Sequence, residues 1–405
     1  MNNQNFFLRD QLKSKELRPN SQKKFSRKFD KIFLEIQKDV KDIKKTLNVL
    51  DKRFKFSFKV NDLKKFQNFK KVAIIGMGGS ILGAEAIHHC FQFKIKKKFY
   101  FFNDLDEEKI LNFKKTENLS KVLFLIISKS GNTLETLSNT FALNIFKRNS
   151  KNIILISEKK NNSLFLLAKK FNLFYVEHKN HIGGRYSVLS EVGLIPAFLM
   201  GINLSKLRSK ILNCLSTNNK VLLKKSSINL ANFMISKKNN NLIFLNYSPE
   251  LEKFLIWCQQ LIAESLGKMS KGFLPVVSNV PKDHHSLLQL YLDGPKDKIF
   301  NIFSAKKNSR EEIKINNNTK IASFLNKKKI SKVKNAQNKA LVKSFERKNI
   351  PFREFKIKKL NEETLGELFS FFMVETVIVG KLLGINPFNQ PAVEQVKVLT
   401  NKFLK

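Results

Sequence analysis

Short unbroken apolar runs alternate with amphipathic stretches along most of the chain. Residues 122–127 are all apolar, as a parallel strand covered on both faces requires, and beyond them Leu134, Leu137, Phe141 and Ile145 recur at helical spacing among polar residues. Similar runs predict strands over 72–75, 99–102, 152–157 and 173–176, separated by helix-like sequence such as 81–90 and 163–171. After a polar stretch at 216–227 the pattern restarts, with strands over 241–246, 298–303 and 352–357 and helices over 250–266, 336–348 and 362–383. Ahead of them a lysine-rich segment, 20–50, places Phe29, Ile32, Phe33, Ile36, Val40, Ile43 and Leu47 on one helical stripe. Alternating strands and helices predict an α/β protein with mainly parallel sheets flanked by helices. The expected organisation is an N-terminal helical segment (1–66) packing on a first domain (67–205), then a second domain of similar layout (206–385) and a C-terminal segment (386–405).

A chain of 405 residues is long enough for two such domains. Its 75 basic against 33 acidic residues, net +42, raise nucleic acid or an anionic membrane as a partner. The lysines are spread over nearly the whole length, and 38 Phe accompany only five Tyr and one Trp, which points instead to a bias in composition. No second helix follows segment 20–50 at helix-turn-helix spacing. No nucleic-acid partner is therefore expected. No stretch approaches the roughly 18 apolar residues of a membrane span, and the first residues hold no apolar core of signal-peptide length. Cys90, Cys214 and Cys258 are odd in number and far apart, which predicts neither a disulfide framework nor a paired metal motif. The expectation is a cytoplasmic protein with no membrane association.

Candidate chemistry lies where strands give way to helices. In SKSGNT, 128–133, Ser128, Ser130 and Thr133 offer hydroxyls, Lys129 a point charge and Gly131 a close turn, all at a helix N-terminus suited to phosphate. An ordinary helix start capped by Asn132, with Glu135 as its capping partner, explains the same residues. The glycine loop GMGGS, 76–80, fails the dinucleotide pattern, since Ile81 replaces the third glycine, and it fails the Walker pattern too. It leaves Gly79 and Ser80 as a place for one phosphate or sugar hydroxyl. His88 and His89 on the following helix read as packing or surface residues. In HIGGRYS, Arg185 follows a glycine pair at a helix entry, either as a fixed cation for an oxyanion or as an ion-pair partner of Glu191.

Six stretches then match one family in order: IGMGGSILG (75–83), SKSGNTLET (128–136), GGRYSVLSEVGL (183–194), QQLIAESLGK (259–268), HHSLLQL (284–290) and NPFNQPAVEQVK (386–397). The chain resembles the glucose-6-phosphate isomerase family, built from two sugar-isomerase (SIS) domains. The resemblance implies a phosphate cradle of Gly79, Ser80, Ser128, Lys129, Ser130 and Thr133. It implies Glu264 as the base moving a proton between C1 and C2, and Arg185 as the cation beside the developing enediolate. His285 and Lys397 are similar to the pair that opens the sugar ring, and Gln390, seven residues before the lysine, to a substrate-contacting glutamine. Neither metal nor cofactor is implied. The implied partners are glucose 6-phosphate, fructose 6-phosphate and a second copy of the chain, with active sites shared across a homodimer. Departures include Asn389 where Asp is usual, Ala392 and Val396 where Gly is usual, and Leu266 where Asn is common.

An aldose–ketose isomerisation gives such a set a chemical reason. Abstracting a proton beside a carbonyl needs a carboxylate on one side, positive charge near the oxygens on the other, and a phosphate anchor away from the reacting carbons. Two other readings share these loops: a relative that also accepts mannose 6-phosphate, and a SIS-type regulator that binds sugar phosphate without turnover.

Overall fold

The computed structural model describes residues 5–12, 19–236, 239–306, 312–317 and 319–404, and in it the apolar runs become two five-stranded sheets. In chain order the strands are β1 (Phe6–Gln11), β2 (Lys71–Ile75), β3 (Lys98–Phe102), β4 (Val122–Ile127), β5 (Ile153–Ser157), β6 (Phe174–Glu177), β7 (Asn241–Asn246), β8 (Leu274–Asn279), β9 (Lys298–Ala305) and β10 (Phe352–Ile357). The first sheet, in order β3-β2-β4-β5-β6, is parallel throughout. Every residue of β4 is buried, as a strand flanked on both sides and covered on both faces must be. Ile75 of β2 pairs with Ile126 of β4, so both strands end at one edge and deliver loops 76–80 and 128–133 side by side.

The second sheet runs β1-β10-β9-β7-β8 and is parallel except for β1, which lies antiparallel on β10. Its two edge strands are the ones the hydrophobic pattern does not predict. In β1 only Phe6 and Leu8 are buried, while Phe7 faces outward, so the alternation is too short to stand out. Strand β8 carries Pro275 and is only partly buried, both of which suit an edge.

The first helix, Pro19–Lys41, ends before the predicted stripe does. Asn48 Nδ2 donates to the Val40 carbonyl at 2.9 Å, satisfying a helix-end acceptor, and the chain turns through the short helix Thr46–Leu50. Ile43 is consequently 73% exposed, whereas Leu47 rejoins the core. This helix packs on Thr217–Ile235 and Glu362–Leu383, with Lys224 on Asp30 at 2.6 Å and Lys28 Nζ on the Leu382 carbonyl at 2.9 Å. It thus lies chiefly with the layer of the second sheet, while the part of segment 1–66 beyond it meets the first domain, Thr46 Oγ1 donating to the His181 carbonyl at 2.6 Å.

In helix Glu362–Leu383 every residue from Thr364 to Gly380 is buried. Asn361 caps its start by accepting from the Thr364 amide at 2.9 Å, and Gly384, with φ +73, ends it. Helix Glu252–Leu266 packs on this one and on Leu82–Phe91, joining the two sheets' layers. The end of Glu252–Leu266 therefore reaches the loops at the edge of the first sheet.

Candidate active site

Arg185 is the most constrained side chain of this junction, with its side chain only 2% exposed. Its Nε donates to Ser265 Oγ at 2.8 Å, Nη2 to the carbonyls of Pro387 (2.7 Å) and Asn389 (3.2 Å), and Nη1 to Glu264 Oε2 (3.1 Å) and to Gln390 Oε1. A buried guanidinium is stable only with such a set of acceptors, and the set fixes its orientation. Glu264, with a third of its side chain exposed, faces Arg185 on one oxygen and accepts from Gln260 Nε2 on the other at 2.9 Å. A carboxylate open to solvent thus stands against a fixed cation. Glu191, the alternative partner of Arg185, instead accepts from the Ser57 amide at 2.7 Å.

Two glycines place the arginine. A Cβ on Gly79 would stand 2.2 Å from the Gly184 carbonyl carbon and 2.5 Å from the Arg185 nitrogen, so the glycine loop lies directly on the turn Gly184–Leu189. Ser187 Oγ ties the two together, 2.6 Å from the Gly184 carbonyl and 3.4 Å from that of Gly79.

The SKSGNT loop is built on a buried asparagine. Gly131 has φ +70, and a Cβ there would meet Asn162 Oδ1 at 1.8 Å. Asn162 in turn donates to the Glu158 carbonyl at 2.7 Å and accepts from the Phe165 amide at 3.0 Å. Ser128 Oγ and Thr133 Oγ1 share a 2.8 Å hydrogen bond, while Ser130 is exposed. Lys129 Nζ donates to the Asn180 carbonyl at 2.8 Å and lies 3.7 Å from Glu158. Burial lowers the proton affinity of Lys129, Glu158 partly restores it, and Arg185 lowers it further, so the two cations feel one another across the site. Helix Leu134–Leu143 starts at Thr133 without a side-chain cap, and the expected cap, Asn132, accepts from the Ser163 amide at 2.8 Å. The hydroxyl-and-lysine loop is therefore not committed to capping its own helix.

Arg185, Glu264 and Gln390 are thus in direct contact, with Gly79 immediately behind them. Ser80 follows Gly79 on the same short turn, Gly78–Ser80. His285 and Lys397 are not joined to this group among the described residues. His285 is exposed on the turn Lys282–His285, where it is His284 that bonds Tyr247 Oη at 3.0 Å. Lys397 is exposed and pairs with Glu394 at 2.7 Å on helix Glu394–Phe403, none of whose residues is buried. Other residues of the site carry no signal that stands out in a sequence: Gln260, Ser265 and Lys268 on or just past helix Glu252–Leu266, and Asn162 beneath the hydroxyl loop. Gln260, Ser265 and Lys268 lie within the matched stretch 259–268, and Gln260 stands one helical turn before Glu264. Among the described residues no cluster of three or more His, Cys, Asp or Glu could hold a metal ion.

Residues 27–405 match the model of the phosphoglucose isomerase family. A glucose-6-phosphate isomerase of Methanocaldococcus jannaschii is 34% identical over 351 residues, covering 84% of this chain and 86% of that one. Among solved structures, a hypothetical protein of Thermus thermophilus superposes with a TM-score of 0.83 at 24% identity, covering 98% of this chain and 100% of that one. A glucose-6-phosphate isomerase of Chlamydia trachomatis superposes with a TM-score of 0.71 at 19% identity, over 85% and 72%. At these identities the two structures speak for the fold alone.

Proposed function

The chain belongs to the phosphoglucose isomerase family, and from that premise we propose how its side chains divide the interconversion of glucose 6-phosphate and fructose 6-phosphate. The phosphate sits among Gly79, Ser80, Ser128, Lys129, Ser130 and Thr133, at the edge where β2 and β4 end. Glu264 takes the proton from C2 of the open aldose, the C1=O electrons moving onto O1, and returns it to C1 of the resulting cis-enediolate as the O2 hydroxyl proton passes to O1 and the C2=O bond forms. Arg185 faces the oxygens on which that negative charge gathers, where a fixed cation acts without reorganising. The observation that carries this reading is the pairing of a partly open carboxylate, Glu264, with a guanidinium whose remaining donors are all committed to holding it in place.

His285 and Lys397 open the ring, and each reaches a site from outside the Arg185–Glu264 group. We propose a homodimer in which His285 serves the second copy's site, while helix Glu394–Phe403 brings Lys397 over the sugar that Gln390 already faces. The exposed apolar side chains of that helix, Val396, Val398, Leu399 and Phe403, support a place against protein rather than water. The same reading keeps two units, 67–205 and 206–385, each with its own sheet, and the site at their junction. We place the protein in the cytoplasm, a setting that suits three free, buried cysteines. No described helix is long and apolar enough to cross a membrane.

Proton NMR of the protein with fructose 6-phosphate in deuterated buffer containing EDTA tests this. The expected product is glucose 6-phosphate carrying deuterium at C2. Mannose 6-phosphate among the products would mean dual specificity, and binding with neither product nor exchange would remove the catalytic roles.

A further inference from the structure

Segment 386–390 crosses the site as a strap, and it is held from two sides. Arg185 grips the carbonyls of Pro387 and Asn389, and Tyr186 Oη adds a 3.2 Å bond to Pro387. From the other side Lys268 Nζ donates to the Asn386 carbonyl at 2.5 Å and to the Ser265 carbonyl at 3.2 Å. Ser265 is also the residue whose hydroxyl receives Arg185 Nε, and it adjoins Glu264 in the chain. One ammonium group thus ties the helix end carrying Glu264 to the strap carrying Gln390.

We propose that Lys268 is a positioning residue for the isomerisation, its cation latching segment 386–390 onto the end of helix Glu252–Leu266 so that Gln390, Arg185 and Glu264 keep their relative places. The inference rests on the roles given above to Glu264 and Arg185. Those two are also the charged groups that face Lys268, one attractive and one repulsive. The strap itself, Asn386-Pro387-Phe388-Asn389-Gln390, contributes nothing that titrates. Lys271, three residues on, turns away to the Leu383 carbonyl at 3.2 Å, and Lys381 on the neighbouring helix is paired with Glu35 and Asp39. Burial lowers the Lys268 pKa to about 8, Arg185 pushes the same way and Glu264 opposes. Above that pH the latch loses its charge and with it the stronger form of its hydrogen bonds. An arginine at 268 stays charged throughout.

The test is the pH profile of kcat and KM between pH 6 and 10 for the unaltered protein, Lys268→Arg and Lys268→Met, with Glu264→Gln as the control on the underlying roles. In the unaltered protein kcat should fall as pH rises through about 8. Lys268→Arg should retain most of the activity at pH 7 and move that fall upward by more than about one unit, since its charge no longer titrates there. Lys268→Met should lose about tenfold or more in kcat at pH 7 with a smaller change in KM, the mark of disturbed orientation rather than lost binding. An alkaline limb at the same pH in the unaltered protein and in Lys268→Arg would overturn the proposal, and so would a wild-type rate in Lys268→Met. Full activity in Glu264→Gln would instead remove the catalytic assignment on which the latch depends.

Discussion

Gly79 and Gly184 meet backbone to backbone, and the contact leaves no room for a side chain on Gly79. Because Arg185 follows Gly184 directly, the seating of the guanidinium depends on how closely the two loops approach. Gly79→Ala must part them. The obstructing atoms are backbone, so relief requires a loop shift, with overpacking that costs about 1–3 kcal/mol. We expect a folded protein with a lowered melting temperature and kcat reduced by about a hundredfold, the scale of an ångström-level misplacement. Thermal melts and steady-state kinetics on one preparation would check both halves. An unchanged kcat would mean that the loop contact does not position Arg185.

Replacing Glu264 by Gln keeps the shape of the side chain, and its amide can still accept from Arg185, but the base is gone. We expect a loss of about 10²–10⁴-fold in isomerisation and in deuterium exchange at C1 and C2, the range that general-base catalysis supplies. Affinity for fructose 6-phosphate, measured by calorimetry, should change little, because the phosphate loop is untouched. Exchange at the unaltered rate would exclude Glu264 as the base.

Much of this site is legible in the sequence for a physical reason. A buried parallel strand must be apolar throughout, so β4 announces itself, and the loop after it has to lie at the sheet's ligand-binding edge. Arg185 is marked by the glycine pair before it, although the glycine that lets its turn be approached is Gly79. The edge strands β1 and β8 are missed because an edge needs little apolar surface, and Ile43 misleads because a helix can stop while its stripe continues. The partners of Arg185 on segment 386–390 are main-chain carbonyls, which every residue possesses, so no side-chain pattern reveals them. His285 and Lys397 are found by resemblance alone, and each stands exposed, apart from the Arg185–Glu264 group.

Lys129 is held by the Asn180 carbonyl and by Glu158, and burial already makes its charge costly. A bound phosphate repays that cost. Lys129→Met should raise KM for both sugar phosphates with a smaller effect on kcat, since the anchor lies away from the reacting carbons. A hydrogen bond to a charged group contributes roughly 1.5–3 kcal/mol, or about ten- to a hundredfold in KM. The increase should shrink at high salt, which already weakens phosphate binding to the unaltered protein. A fall in kcat at unchanged KM would place Lys129 near the reacting carbons instead.

His178 gives the fold a dependence on acid that is separate from catalysis. It follows β6, its amide donates to the Ser157 carbonyl at 2.7 Å, and its ring is 2% exposed beside the Lys179 carbonyl. Burial lowers its pKa from 6.5 to about 4, against a smaller upward pull from the Lys179 carbonyl. The unfolded chain therefore binds a proton below pH 6.5 that the folded chain refuses until about pH 4. Stability from this residue is complete above pH 6.5 and is lost as pH falls through that window, by roughly 3 kcal/mol at most. Buried carboxyls work the other way: Glu85, Glu191 and Glu367 are raised by burial and favour the fold as they become protonated. Comparison with His178→Phe isolates the histidine, because the carboxyls are common to both proteins. Urea melts at pH 7, 6, 5 and 4.5 should show a stability difference between the two proteins that shifts in favour of the variant as pH falls. A constant difference over that range would mean that the folded protein binds the His178 proton as readily as the unfolded chain does.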